Sequence, residues 1–392
     1  MLQLHGVPVS VFEAESAPNA RPQGGALDIH GDSGQPALKV AELFERFQEL
    51  SSVEESATKM FNGNTGELLY GGYVGGEGWN PEIDRGDLRD MLCESLQPDT
   101  IQWGKKVREV VREDGTSVVT FADGSRQSFD LVIGADGTWS KVRNAITKTK
   151  PKYSGVVLVE SRIEDWARTH PPTHSLIAPG SAFLVGRGSL LMVHSGKDAW
   201  IAAGFHAPAS WQQTVNWDDP AAAKEAVLSR LSDWDESLTD LVRHSTLPLI
   251  PRPMYVLPVM MRWQNKPGLT LVGDAAHVMP IFAGRGANLA LLDGALLGKA
   301  IGEAGEDWAQ AVRTYEREMF KRTWKPALVS MLAMYQYFGP DAAARVGYTF
   351  ATATGFGQAA RVKRLTNMFR SSVYMTAQQM LHSSSAAEGS YS

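Results

Sequence analysis

The chain is poor in the features that mark secreted, membrane-spanning or nucleic-acid-binding proteins. It has one cysteine, Cys93, in 392 residues, so no internal disulfide can form, and a reducing, cytoplasmic setting is expected. Charge of neither sign dominates: the formal net charge is -5, and no run of Lys and Arg offers a footprint for nucleic acid. No basic start followed by a long apolar run marks a signal peptide, and no segment reads as a membrane span, because Gly339, Pro340, Asp341 and Arg345 interrupt the most apolar late stretch. Metal-ligand spacing, a GxSxG elbow and internal repeats are all missing as well. What remains is a chain with 43% hydrophobic residues, enough to bury a large core in two or three units.

Within that frame, the organising stretch is Leu269 to Ala300. Leu269, Leu271 and Val272 read as a short buried strand, and Gly273 with Asp274 ends it where an open α/β sheet receives its ligand. Gly284 and Gly286 then let the backbone approach a bound group before a helix starting near Ala287 and Asn288, whose N-terminus attracts negative charge. Asp130 to Val142 repeats the theme: an apolar strand runs into Gly134, Asp136 and Gly137, and a helix starts near Trp139 with Thr138 as its cap.

Val7 to Glu13 alternates as a strand that ends in an acid, and Leu2 to Gly6 reads as the last turn of a helix with its terminal glycine. In a dinucleotide fold such an acid binds ribose, and the glycine fingerprint precedes it by about 20 residues. Only twelve residues precede Glu13. The first strand and glycine loop therefore have no counterpart here, and a mis-assigned start or a shortened chain is the expected cause. The bland alternative for Glu13 is a solvated strand end.

Other candidates are individually weaker. Gly24 and Gly25 could turn Asp28 towards a ligand, or form a surface turn before a helical pattern over Gln35 to Phe47. Arg85 and Arg89 lie one turn apart on a helix, as a phosphate clamp or as a solvated face with Asp87 and Asp90. The glycine string of Tyr70 to Gly78 lacks a preceding strand and reads as a loop. From Val156 to Pro258 short strands alternate with turns, followed by a helix over Ala221 to Trp234. This predicts a mostly antiparallel sheet with Glu160, Met192, His194, Trp200 and His206 on one face.

Taken together, GDAAHVMPIFAGRGAN, IGADGTWSKVR and DRGDLR resemble the three fingerprints of the FAD-dependent monooxygenases of the aromatic-hydroxylase (group A flavoprotein) class. GGALDIHGDSGQPALKVAEL and LSDWDESLTDLV are similar to stretches of its tetracycline-inactivating branch, and the resemblance runs to about Met319. It implies an α/β fold: a Rossmann-like FAD-binding domain (1–60, 83–152 and 266–320) with an inserted, mostly antiparallel substrate sheet (61–82 and 153–265). C-terminal helices (321–382) and a disordered tail (383–392) complete the expected layout.

The same resemblance implies roles. Glu13 would bind the FAD ribose; Asp28, Arg85, Arg89 and Asp136 would lie about the cofactor; Asp274 would meet the ribityl chain; and Pro280 to Asn288, with Gly284, Gly286, Ala287 and Asn288, would face the flavin ring. Arg21 matches a position assigned to NADPH. Met279, Phe282, Glu160 and Met192 are the expected pocket wall. The implied chemistry is NADPH-driven hydroxylation of a polycyclic or phenolic molecule by a flavin C4a-hydroperoxide, in a monomer. Glu160 stands where the branch has an amide, and its substrate arginine has no counterpart near Ala182, which turns the expectation away from tetracycline itself. The alternative is a pseudo-enzyme that no longer holds FAD and binds a small molecule or partner.

Overall fold

A computed structural model describes residues 1–18, 20, 25–53, 57–73 and 80–353. Arg21, Gly24, residues 74–79 with the end of the glycine string, and residues 354–392 with the expected tail lie outside the described residues. A 3-10 turn over Gln3–His5 closes on Gly6 at φ 69°, as the terminal glycine predicts. Then come β1 (Val11–Phe12), β2 (Ala26–Asp28), α1 (Gly34–Val40), α2 (Phe44–Leu50), β3 (Ala57–Asn62), β4 (Leu68–Tyr73) and β5 (Glu82–Asp84). The next segment holds α3 (Arg85–Glu94), β6 (Ile101–Gln102), β7 (Val107–Glu113), β8 (Thr116–Phe121), β9 (Arg126–Phe129), β10 (Val132–Gly134) and α4 (Lys141–Ile146). After β11 (Lys152–Ile163) follow α5 (Trp166–Thr169), α6 (Pro171–Ile177), β12 (Ser181–Val185), β13 (Ser189–His194), β14 (Ala199–His206), α7 (Pro220–Leu228), α8 (Glu236–Arg243) and β15 (Thr246–Val256). The chain then returns through β16 (Leu269–Leu271), α9 (Asp274–His277), α10 (Gly286–Glu303), α11 (Trp308–Tyr337) and α12 (Ala342–Ala353).

Two parallel pairs carry the nucleotide-binding half: β1 with β6, and β10 with β16 in the register Val132↔Leu269 to Gly134↔Leu271. Both strands of the second pair are short and apolar, the grammar of a sheet covered on both faces. Beside them β7, β8 and β9 form an antiparallel meander. The other half is one seven-stranded sheet, ordered β15-β11-β14-β13-β12-β3-β4 and antiparallel throughout except between β12 and β3. The predicted α/β fold with an inserted, mostly antiparallel sheet is thus present, and β3 joins that sheet ahead of the expected boundary at 61.

Period-two side-chain alternation splits this sheet. Val157, Val159, Leu191, Val193, Ile201 and Phe205 point to one face and bury against Trp166, Ile177, Val227 and Leu241. Leu158, Met192 and Ala202 point to the other, which meets Tyr337 and Phe338 from the end of α11.

Several local expectations are corrected. The first strand shrinks from Val7–Glu13 to Val11–Phe12, because its partner β6 offers only Ile101 and Gln102. The helix over Gln35–Phe47 divides at Glu42, which takes φ 62°. Ser140, not Thr138, caps α4 by accepting from the Arg143 N–H. The helix expected over 221–234 starts at Pro220, capped by Asp219, and tightens into a 3-10 turn at Ser229–Leu231. β15 was not foreseen: Pro248, Pro251 and Pro253 argue against a strand, yet β15 is the outermost strand of its sheet, where missing N–H donors are tolerated. Among the described residues no helix is long and apolar enough to cross a membrane.

Candidate active site

Three acids follow the carboxyl ends of parallel strands, the position where such sheets bind ligands. Glu13 follows β1 and uses Oε1 to accept from the Glu15 N–H at 2.9 Å. Asp136 follows β10 and is taken up by the start of α4: it accepts from the Ser140 hydroxyl, the Lys141 N–H at 2.6 Å and the Val142 N–H at 3.3 Å. Asp274 follows β16 at the first position of α9 and makes no such contact among the described residues. Its carboxylate is accessible, yet it lies in a recess crowded by protein. That desolvation raises its pKa above the ordinary range, while His277, Arg85 and Arg143 pull the other way. Arg143, 1% exposed, joins the two turns by donating to the carbonyls of Ala275 and Thr138.

The second wall of the recess comes from the end of β2 and the loop before α10. Burial raises the Asp28 pKa, and its hydrogen bond with Glu82 on β5 opposes the rise. Asn288 is 1% exposed and fully engaged: Oδ1 accepts from the His30 N–H at 2.8 Å, and Nδ2 donates to the Asp28 and Gly284 carbonyls at 2.7 and 3.0 Å. Its side chain therefore holds the loop in place. Arg285 forks onto both Asp32 oxygens at 2.6 and 2.7 Å and donates to His30 Nδ1 at 2.7 Å. Burial and that cation press the His30 pKa down to about 4, and the Arg285 hydrogen bonds hold Asp32 at about 2.

This bracing leaves the start of α10 bare. Gly284 takes φ 61°, and a Cβ there would lie 3.4 Å from His30 Nε2 and 3.7 Å from Asp28 Oδ2. Arg285 at the N-cap supplies no side-chain cap, and the space around Gly286 is open within 4 Å. The first N–H groups of an 18-residue helix, including that of Ala287, thus face the recess with their partial positive charge.

Arg85 and Arg89 share a helix but not a task. Arg89 pairs with Glu15 at 3.0 Å, donates to the Pro18 carbonyl and lies over the Trp103 ring at 5.5 Å. Arg85 is exposed, and its side chain has no hydrogen bond or ion pair among the described residues; its charge acts on both Asp274 and His194. Among the described residues of this site it is a cation left for a ligand.

The sheet face opposite carries the five residues expected of it. Glu160 pairs with Arg252 of β15 at 3.2 Å, and Met192 is 4% exposed beside Ala202. His194 packs against Trp200 with ring centroids 5.3 Å apart, and His206 against Phe338 at 5.6 Å. Tyr337 stacks on Phe183 at 5.8 Å and meets Phe282 at 5.5 Å. Met279, expected on this wall, packs instead with Leu289 and Ala327 under α11. Sequence reasoning missed Arg252, since its strand was missed. It also missed the sealed ion network of Asp293, His277 and Arg322. A lone acid in the apolar run of α10 was the available signal.

A recess bounded by an unpartnered arginine, two carboxyls of raised pKa and a bare helix start suits a ligand with hydroxyls at one end and an electron-rich ring at the other. FAD fits those residues, and the site is that of an FAD-dependent monooxygenase. The FAD-binding-domain family profile matches residues 85–327, more than half of the chain, so the chain belongs to that family. Monooxygenase asqM of Emericella nidulans is 29% identical over 342 residues, 74% of this chain and 76% of that protein. Monooxygenase penA of Penicillium thymicola is 25% identical over 393 residues, 83% and 90% of the two chains. The crystal structure of the tetracycline destructase Tet(51) matches with a TM-score of 0.67 over 90% of this chain and 91% of its own, at 19% identity, a likeness of fold.

Proposed function

We propose that this protein uses NADPH and O2 to hydroxylate a phenolic or polycyclic small molecule held between FAD and the seven-stranded sheet. The observation that carries the reading is the recess itself: Asp274, Arg85 and the start of α10 on one side, and Met192, Trp200, Phe282 and Tyr337 on the other. FAD, when bound, would accept a hydride from NADPH and activate molecular oxygen.

The chain's own residues supply the rest. Glu13 and Asp274 would accept hydrogen bonds from ribose and ribityl hydroxyls, and Arg85 would meet the phosphates or the ring carbonyls. The first N–H groups of α10 stabilise negative charge on the ring by about 0.3–1 kcal/mol or somewhat more in a partly buried site. Phe282, Tyr337, Phe183 and Met192 exclude water from the reacting face. Glu160 and Arg252 offer an acceptor and a donor at its edge. A flavin-free binding protein is disfavoured, because such a protein has no use for a bare helix start beside an unpartnered arginine.

A cytoplasmic monomer that binds no nucleic acid completes the reading, supported by the single cysteine and the balanced charge. The named monooxygenases among the relatives support the oxygen-transfer reading, and a role in secondary metabolism or antibiotic modification is proposed with it. The test is direct. Purified protein should be yellow, or become so with FAD, and a substrate should stimulate NADPH oxidation with matching oxygen uptake. Colourless protein that FAD does not reconstitute overturns the reading, and NADPH oxidation without a hydroxylated product assigns an oxidase instead.

A further inference from the structure

At the end of β10 and β16 away from the cofactor recess lies another hollow, a cavity of about 430 Å³ with Asp130, Pro267 and Glu306 exposed at its rim. Three turns meet there: 130–131 before β10, 265–268 before β16, and 305–306 between α10 and α11. Leu131, Pro267, Trp308 and Val312 form its apolar wall, and Leu131 and Trp308 pack on the core cluster that holds Val312 and Leu269. Gly268, at φ 75°, lets the turns close on one another, since a Cβ there would lie 2.9 Å from the Asp130 carbonyl oxygen.

The charged groups of this cavity are unevenly engaged. Lys266 commits its ammonium to the Ala145 carbonyl at 2.7 Å, and Arg112, beside Gly268, donates to the Ser117 hydroxyl at 3.1 Å and the Gly115 carbonyl at 2.6 Å. Asn265 donates through Nδ2 to the buried Glu316 at 2.9 Å, and Glu316 also accepts from Trp263 and Thr270, so this wall is braced from within. The carboxylates of Asp130 and Glu306, by contrast, have no hydrogen bond or ion pair among the described residues. The cations are held by the protein and the anions are left over. A ligand must therefore bring the positive charge, and the indole of Trp308 offers that charge a π face.

We propose that this cavity is a second binding site, for a small organic cation in which an ammonium, amidinium or guanidinium group is carried on a flat apolar body. The charged group meets Asp130 and Glu306, and the apolar body lies on Trp308 and Pro267. The volume suits a small molecule, whose pockets run from about 300 Å³ upward. An anion of the same shape meets two carboxylates and is repelled. The cavity and the cofactor recess lie at opposite ends of the same elements: β10 and β16 begin at one and lead to Asp136 and Asp274 at the other, and α10 runs from the recess to the turn at Gly305. The paired residues of the two strands alone span about 10 Å, so an occupant of the cavity does not compete with FAD.

Benzamidine, a flat ring bearing an amidinium, is the probe, and benzamide, its uncharged counterpart, is the control. Both are titrated calorimetrically into the full chain with and without FAD. Benzamidine should saturate the chain with a Kd of about 1 mM or below, unchanged by FAD, and benzamide should bind about tenfold more weakly. The paired substitution Asp130→Asn with Glu306→Gln should lower benzamidine affinity about tenfold, and Trp308→Leu about threefold. No saturation below ~10 mM benzamidine overturns the proposal, as does equal binding of benzamide. An unaltered affinity in the carboxylate pair, or loss of benzamidine binding when FAD is added, places the probe elsewhere and overturns it too. If Trp308→Leu does not fold, the carboxylate pair decides, because both groups are exposed and neither is hydrogen-bonded among the described residues.

Discussion

Two sets of acids sit within one domain and meet opposite fates. Asp293 in α10 is 0% exposed, yet it is fully matched: it accepts from His277 Nε2 at 2.7 Å, from the Gly273 N–H at 2.9 Å and from Arg322 at 2.6 Å. Burial alone would raise its pKa, but these partners outweigh it and the pKa falls. Asp274 and Asp28 line an accessible recess, have no arginine or lysine hydrogen-bonded to them among the described residues, and have raised pKa values. Depth alone therefore does not set the direction of a carboxyl pKa here; the presence of matching donors does. Asp293 ties α9, α10 and α11 together, and on the reading proposed above Asp274 and Asp28 would meet the cofactor.

The sharpest way to break this contrast is Asp293→Asn. It leaves Arg322 and His277 without their anion, and urea unfolding should show a loss of about 3–5 kcal/mol. A loss below about 1 kcal/mol would remove Asp293 from the structural class.

A second test uses pH. The His194 pKa is about 4 when folded against 6.5 for the ordinary group. The unfolded chain therefore binds the proton first, and stability present above pH 6.5 is lost as pH falls through 4. His30 behaves likewise and remains in a His194→Gln variant; Asp28 and Asp274, raised, act in the opposite sense in both proteins and cancel. Between pH 6.5 and 4 the wild type should lose on the order of 3 kcal/mol more than His194→Gln, read by urea midpoints at each pH. Parallel pH profiles would show His194 to be unshifted.

Asn288→Ala probes the brace of the recess. It strands the His30 N–H and the Asp28 and Gly284 carbonyls, and should cost about 1–3 kcal/mol along with weaker FAD retention. Intact FAD affinity in a destabilised Asn288→Ala would separate the brace from the site. The smallest expected change in stability belongs to Asp274→Asn, within about 0.5 kcal/mol. Its FAD affinity, measured by flavin fluorescence, should fall about tenfold, equivalent to ~1.4 kcal/mol. The reverse pattern, lost stability with unchanged FAD affinity, would place Asp274 beside Asp293.

Much of this site was legible in the residues because its signals are local. A strand, a glycine and an acid at Asp274 are contiguous in sequence, as are Gly284 to Asn288, so their pattern survives without coordinates. Arg85 and Arg89 were paired by helical spacing, but spacing says nothing of what each faces. The division into a free and a bound guanidinium depends on Glu15 and Trp103, which come from other elements. Arg252 was not foreseen, because the proline-rich β15 carries a weak strand signal and is tolerated only at the edge of its sheet.

The sequence by itself determined the family, the α/β class and the strand ends where a flavin belongs, since these rest on short-range pattern and backbone chemistry. Only the tertiary structure decided which polar groups are available. The side chains of Asn288, Asp136 and Arg89, expected about the cofactor, are also engaged with protein, while His194, read as a structural histidine, keeps one ring nitrogen without a protein partner among the described residues. The physical reason is that a side chain's chemistry depends on desolvation and on which hydrogen-bond partners the fold brings to it. Those partners, such as Ser181 and Glu82 at 99 positions' separation, are distant in the chain and adjacent only once it has folded.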